Sequence, residues 1–136
     1  MFTRSNYDRL ALSKRGLDED RLSVTLRNMI LVTSNDVPGS RITETFGECF
    51  GLTVRSRHLG SNIGAGFKSM VGGELKGITQ LIAECRKEAL ARLAAEAEAL
   101  GANGVVAFRF ETTEYAGTGI EVCAYGTAVT LEQLPA

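Results

Sequence analysis

A chain of 136 residues is the length of one domain with a working core. Hydrophobic residues at 44%, charged residues at 23% and a net charge of −1 describe an ordinary globular protein, with no global field to draw it onto nucleic acid or an anionic membrane. No uncharged stretch approaches the roughly 20 apolar residues of a bilayer span, and the charged first residues lack the apolar segment of a signal peptide, so a cytoplasmic protein with no membrane partner is expected.

Residues 1–28 mix basic and acidic side chains with little periodicity and read as an N-terminal arm or extension, dispensable for the fold. Within it, "DRLALSKRGL" has the makings of a short helix closed by Gly16. The domain proper is expected over residues 29–136. It opens with "NMILVTS", a short β-branched run stopped by the turn signal "NDVPGS". From Arg41 a long strand follows, with Ile42, Phe46, Phe50, Leu52 and Val54 on one parity and Thr43, Thr45, Gly47, Cys49, Gly51, Thr53 and Arg55 on the other. Glu44 and Glu48 fall on the apolar parity, which predicts a bulge near the glycines.

Beyond a glycine-rich segment, Leu75, Ile78, Ile82, Cys85, Ala89, Leu93, Ala97 and Leu100 recur every three or four residues. That spacing predicts an amphipathic helix over 74–100, with Glu88 and Arg92 as an i,i+4 pair on its solvent side and Gly101 as its stop. Two further strands alternate Val106, Phe108, Phe110 and then Ile120, Val122, Ala124, joined by the turn "EYAGTG". The order β-β-α-β-β predicts an α+β, two-layer fold, an antiparallel sheet packed by one long helix.

The glycine-rich segment "HLGSNIGAGFKSMVGGELKG" needs a cause, because each glycine weakens regular structure by roughly 0.5–1 kcal/mol relative to alanine. A Walker-type loop is excluded, since Phe67 separates Gly66 from Lys68. A dinucleotide fingerprint fails at Ser69, where the third glycine belongs. Two readings remain. Arg55, Arg57, His58 and Lys68, with the amides of Gly72 and Gly73 at the start of the helix, form a candidate anion or small-ligand site. Alternatively Ile63, Gly64, Gly66, Phe67 and Met70 form a close-packed subunit interface, which better explains why glycines and apolar residues occur together.

Cys49, Cys85 and Cys123 are odd in number and lack CxxC spacing, so neither disulfides nor a zinc site is expected, and they read as reduced apolar residues. His58 is the lone histidine, so a multi-histidine metal site within one subunit is excluded. Neither a Cys49–His58 pair nor the carboxylates Glu44 and Glu48 make a complete catalytic set, and no catalytic residue, metal ligand or cofactor is assigned.

Three segments, "VRSRHLGSNIGAGFKSMVGGELKG", "EALARLAAEAEALGANGVVAFRF" and "EVCAYGTAV", together resemble the YbjQ-like family of small proteins that carries a heavy-metal-binding label. The family's characteristic residues carry over to Arg57, Gly64, Gly66, Gly72, Gly73, Glu74, Gly101, Ala102, Asn103, Tyr125, Gly126 and Thr127. The resemblance implies a dodecin-like subunit in a ring-shaped homo-oligomer, a pentamer, without an assigned activity. It yields three readings: an oligomeric small-ligand-binding or scaffold protein, a metal binder with sites formed across the ring, and an enzyme acting beside Arg57 and His58.

Overall fold

The structure is a computed structural model, and it describes residues 19–56, 76–115, 117 and 119–136. Helix α1 spans Glu19–Asn28, strand β1 Ile30–Leu31 and strand β2 Ser40–Ser56. Helix α2 spans Lys76–Ala99, followed by strands β3, Gly104–Tyr115, and β4, Gly119–Gln133. None of these helices is long and apolar enough to cross a membrane.

The α+β architecture with one long helix matches the expectation, but the sheet is mixed rather than antiparallel. Its strand order is β1-β3-β4-β2, with β1 parallel to β3 and the other pairs antiparallel. The correction arises because β1 and β2 form no hairpin. After Leu31 the chain continues beside β3, where Val32 N–H donates to Val105 O and Ala107 N–H to Ser34 O. It then crosses to the opposite edge, and the β2–α2 segment supplies the long return that a parallel pair requires.

Helix α2 buries Cys85, Ala89, Leu93 and Ala97, the stripe that the periodicity marks out. Its end is a Schellman closure: Ala102 N–H donates to Ala97 O and Gly101 N–H to Glu98 O, with Gly101 at φ 90°. Helix α1 rests on α2, with the Thr25 hydroxyl buried and donating to Glu98 Oε2 at 2.6 Å and Leu26 against the core. The short helix expected over "DRLALSKRGL" lies outside the described residues.

Strand β2 bends as expected. Its register slips between Ile42 and Glu44 and again between Thr45 and Gly47, where Gly47 has φ 87°. Past the bulges, the face turned to α2 is the polar-looking parity: Cys49, Gly51 and Thr53 are buried. The helix lies so close that a Cβ on Gly51 would collide with Ala89 O and Leu93 N of the helix backbone. Only small residues fit there. Phe50, Leu52 and Val54 therefore point to the other face, by strand alternation, and Val54 remains 61% exposed. Nearer the ends of the sheet that second face is covered, because Val32 and Val37 pack over Val106, Val129 and Leu131.

Candidate functional site

Strand β3 is paired to β1 only at Gly104 and Val105. Just beyond, its register with β4 slips between Val106 and Arg109, and Ala107 takes φ 53°. That left-handed conformation is rare for a residue with a Cβ, so the surrounding contacts hold it. The bulge shifts the alternation, so Val105, Phe108 and Phe110 join the cluster under α2 while Val106 joins the opposite one.

The consequence is an open groove of about 860 Å³ between α2 and this part of β3. Phe108 and Phe110 form an aromatic floor, edge to face with ring centroids 5.8 Å apart, and Ile82 and Leu90 of α2 extend it. Arg86, Lys87 and Arg109 line the same groove, with Thr33 and Thr112 beside them and no carboxylate among the described lining residues. The Arg86 guanidinium lies over the Phe110 ring, 4.3 Å from its centroid. Arg109 Nη1 donates to Thr33 O and Phe108 O, both at 2.8 Å. The groove presents one guanidinium held over aromatic surface and two further cations on its lining, and this is an arrangement for binding rather than proton transfer.

Of the candidate anion ligands read from the sequence, Arg55 is described, and it serves a different contact. Its Nη2 donates to Glu88 Oε2 at 2.7 Å, and this bond raises its pKa further above the usual arginine range. Arg92 donates to Glu88 Oε1 and to Leu52 O, so the expected Glu88–Arg92 pair is half-buried and ties the helix to β2. Glu96 Oε2 accepts from Phe50 N–H at 3.1 Å. These two helix side chains occupy a backbone donor and acceptor of the edge strand, which blunts it against strand addition. Arg57, His58, Lys68, Gly72 and Gly73 lie outside the described residues, as do Ile63, Gly64, Gly66, Phe67 and Met70. The groove residues were not assigned from the sequence, although "RK" at 86–87 and "FRF" at 108–110 were the visible signals.

The thiols are free. Burial, with Glu96 and Glu48 adding to it, pushes Cys49 up to about 12, and its Sγ donates to Gly126 O at 3.7 Å. Burial also raises Cys85. Cys123 rises to about 11 through burial and then Glu121 and Glu111. Among the described residues, no three His, Cys, Asp or Glu side chains come together in a group fit to hold a metal ion.

Asn103 closes the far end of the sheet. Its side chain donates to Leu131 O at 2.9 Å and accepts from Leu131 N–H at 2.7 Å, while its carbonyl accepts from Ile30 N–H. Tyr125 lies on the outer face, its hydroxyl donating to Glu111 Oε1 at 3.3 Å, and that carboxylate raises its pKa.

Comparison with known proteins places these features in a family. Residues 29–132 match the YbjQ family described as "Putative heavy-metal-binding". A UPF0145 protein of Mycobacteroides abscessus is 74% identical over 106 residues, covering 78% of this chain and 99% of that protein. A UPF0145 protein of Streptomyces coelicolor is 62% identical over 101 residues, covering 74% of this chain and 95% of that protein. One of Thermotoga petrophila is 45% identical over 106 residues, covering 78% and 100%. Among solved structures, a DUF74-family protein of unknown function from Pediococcus pentosaceus superposes with a TM-score of 0.52 at 18% identity, covering 76% of this chain and 98% of that one, a likeness of fold alone. With the match running through β1, β2, α2, β3 and β4, the chain belongs to the UPF0145, YbjQ-like family.

Proposed function

We propose that this protein is a cytoplasmic, homo-oligomeric small-ligand-binding or scaffold protein, assembled as a ring of dodecin-like subunits. One observation carries the assembly. The parity of β2 with the larger apolar residues, Phe50, Leu52 and Val54, turns away from α2, and Cys123 of β4 lies opposite Leu52 on the same face. An apolar strand face of this kind belongs against another surface. A second copy of the chain is the occupant, and Ile63, Gly64, Gly66, Phe67 and Met70 are the further interface residues that the sequence suggests. The count of five follows the resemblance in sequence. The ligand is a small anion, held by Arg86, Lys87 and Arg109, none of which is in a salt bridge among the described residues.

A second reading, metal bound across the ring, draws on Cys123, whose thiol is influenced by Glu121 and Glu111 and sits on the proposed contact face. There, symmetry mates would bring several thiols and carboxylates together. Native mass spectrometry of freshly purified protein separates the readings. A defined oligomer carrying an organic anion supports the first, and metal in proportion to subunits, lost in Cys123→Ala, supports the second. A monomer at micromolar concentration would overturn the assembly.

A further inference from the structure

We infer that the groove between α2 and β3 takes an organic anion with a planar apolar body, its charged end held by Arg86, Lys87 and Arg109 and its body by Phe108 and Phe110. The inference rests on the ligand-binding reading above and names the class of ligand. Arg86 and Lys87 of α2 and Arg109 of β3 all line the groove, with no carboxylate among its described lining residues, and Arg109 lies across from Tyr125 in the register with β4. Elsewhere Arg41, Arg55 and Arg92 pair with Glu132 or Glu88, whereas among the described residues none of the three groove cations is in a salt bridge. All three side chains are exposed, so their attraction for an anion is one that salt screens.

The cations are also positioned. Phe110 supports one face of the Arg86 guanidinium, leaving its N–H edge to meet two oxygens of a carboxylate or phosphate in plane. Both backbone bonds of Arg109 use Nη1, which fixes the group while the rest of its fork remains to donate. An inorganic ion would satisfy these donors but leave the half-buried Phe108 and Phe110 rings against water. A ligand with a ring system covers them, and the groove is in the size range of small-molecule sites. Among the described residues, no histidine, cysteine or carboxylate lines the groove to act on what is bound.

Calorimetric titration of the full chain with 1-naphthyl phosphate, inorganic phosphate and 1-naphthol tests the assignment. The naphthyl phosphate is expected to bind about tenfold or more tightly than either fragment, with affinity falling as salt is raised. Arg86→Gln, an exposed change, and Phe110→Leu are each expected to weaken it by about tenfold, while Arg27→Gln on α1 leaves it unchanged. Thermal melts confirm that each variant is folded, and Arg86→Gln decides the matter if Phe110→Leu is not. No binding of naphthyl phosphate, equal binding of inorganic phosphate or of naphthol, or indifference to Arg86→Gln overturns the inference. A natural ligand retained in native mass spectra of Arg86→Gln would also overturn the groove while leaving the ligand-binding reading standing.

Discussion

Gly51→Ala tests how α2 and β2 are packed. The added Cβ would stand 2.9 Å from Arg92 Cβ and closer still to Ala89 O and Leu93 N. Carbon contacts settle at about 3.5–4.0 Å, so helix and strand must part by roughly 1 Å, and a gap of that size forfeits a quarter to a half of each dispersion contact across it. The buried residues Cys85, Ala89, Leu93 and Ala97 share that interface. Overpacking of this kind costs about 1–3 kcal/mol, with roughly 0.4–1 kcal/mol returned by the stiffer unfolded chain. A net loss of about 1.5 kcal/mol corresponds to a fall in Tm of roughly 4–8 °C for a domain of this size. Urea unfolding and thermal melts followed by far-UV circular dichroism measure it. Gly47→Ala is the control: nothing stands within 4 Å of the new Cβ, but φ is 87°, so only the conformational penalty of about 1 kcal/mol appears. Because the atom met at Ala89 is its carbonyl oxygen, Ala89→Gly should not rescue Gly51→Ala. A Gly51→Ala protein melting within 2 °C of the parent (about the resolution of the comparison), or rescued by Ala89→Gly, would refute the reasoning.

Three other outcomes are expected. The Cys49 thiol is held near 12 against an ordinary value near 9, so its contribution to stability is full below about pH 9 and lost as pH rises toward 12. Between pH 8 and 10.5 the parent should lose about 1–2 kcal/mol more than Cys49→Ala in urea titrations, and parallel pH slopes would contradict this. Ala107→Gly should be neutral or stabilising by up to about 1 kcal/mol, and Ala107→Val destabilising by about 1–2 kcal/mol, because a β-branched residue tolerates φ 53° least; the reverse order in thermal melts would mean the bulge relaxes. Removing residues 1–18 should leave the melt unchanged, whereas removing 1–28 should lower Tm by several degrees without abolishing folding, since it deletes the Thr25–Glu98 bond worth about 1 kcal/mol and the Leu26 contact; equal melts would show α1 to be ornamental.

The groove was hard to see in the sequence for a local reason. In "GVVAFRFETT" strict alternation puts Phe108 and Phe110 with Val106, yet Val106 faces the other way. The reversal happens at Ala107, and no glycine or proline marks it. Arg86 and Lys87 read as the solvated side of an amphipathic helix, and only the bulge brings aromatic rings up to them. Helix α1 was obscured in a similar way, since Val24 and Thr25 weaken helix propensity and its docking on α2 supplies what propensity lacks.

Local pattern by itself determined the long helix with its buried stripe, the Gly101 stop, the bend of β2 near Gly47 and the β3–β4 hairpin, because each follows from the neighbours of a residue along the chain. Which face of β2 lies inward was decided only by the tertiary structure. By hydrophobicity Phe50, Leu52 and Val54 belong in the core, and Gly51 and Thr53 do not. The helix backbone approaches so closely that small residues alone can stand beneath it, so separation between layers overrides apolarity, and the larger side chains turn to the other face, where Val54 is 61% exposed.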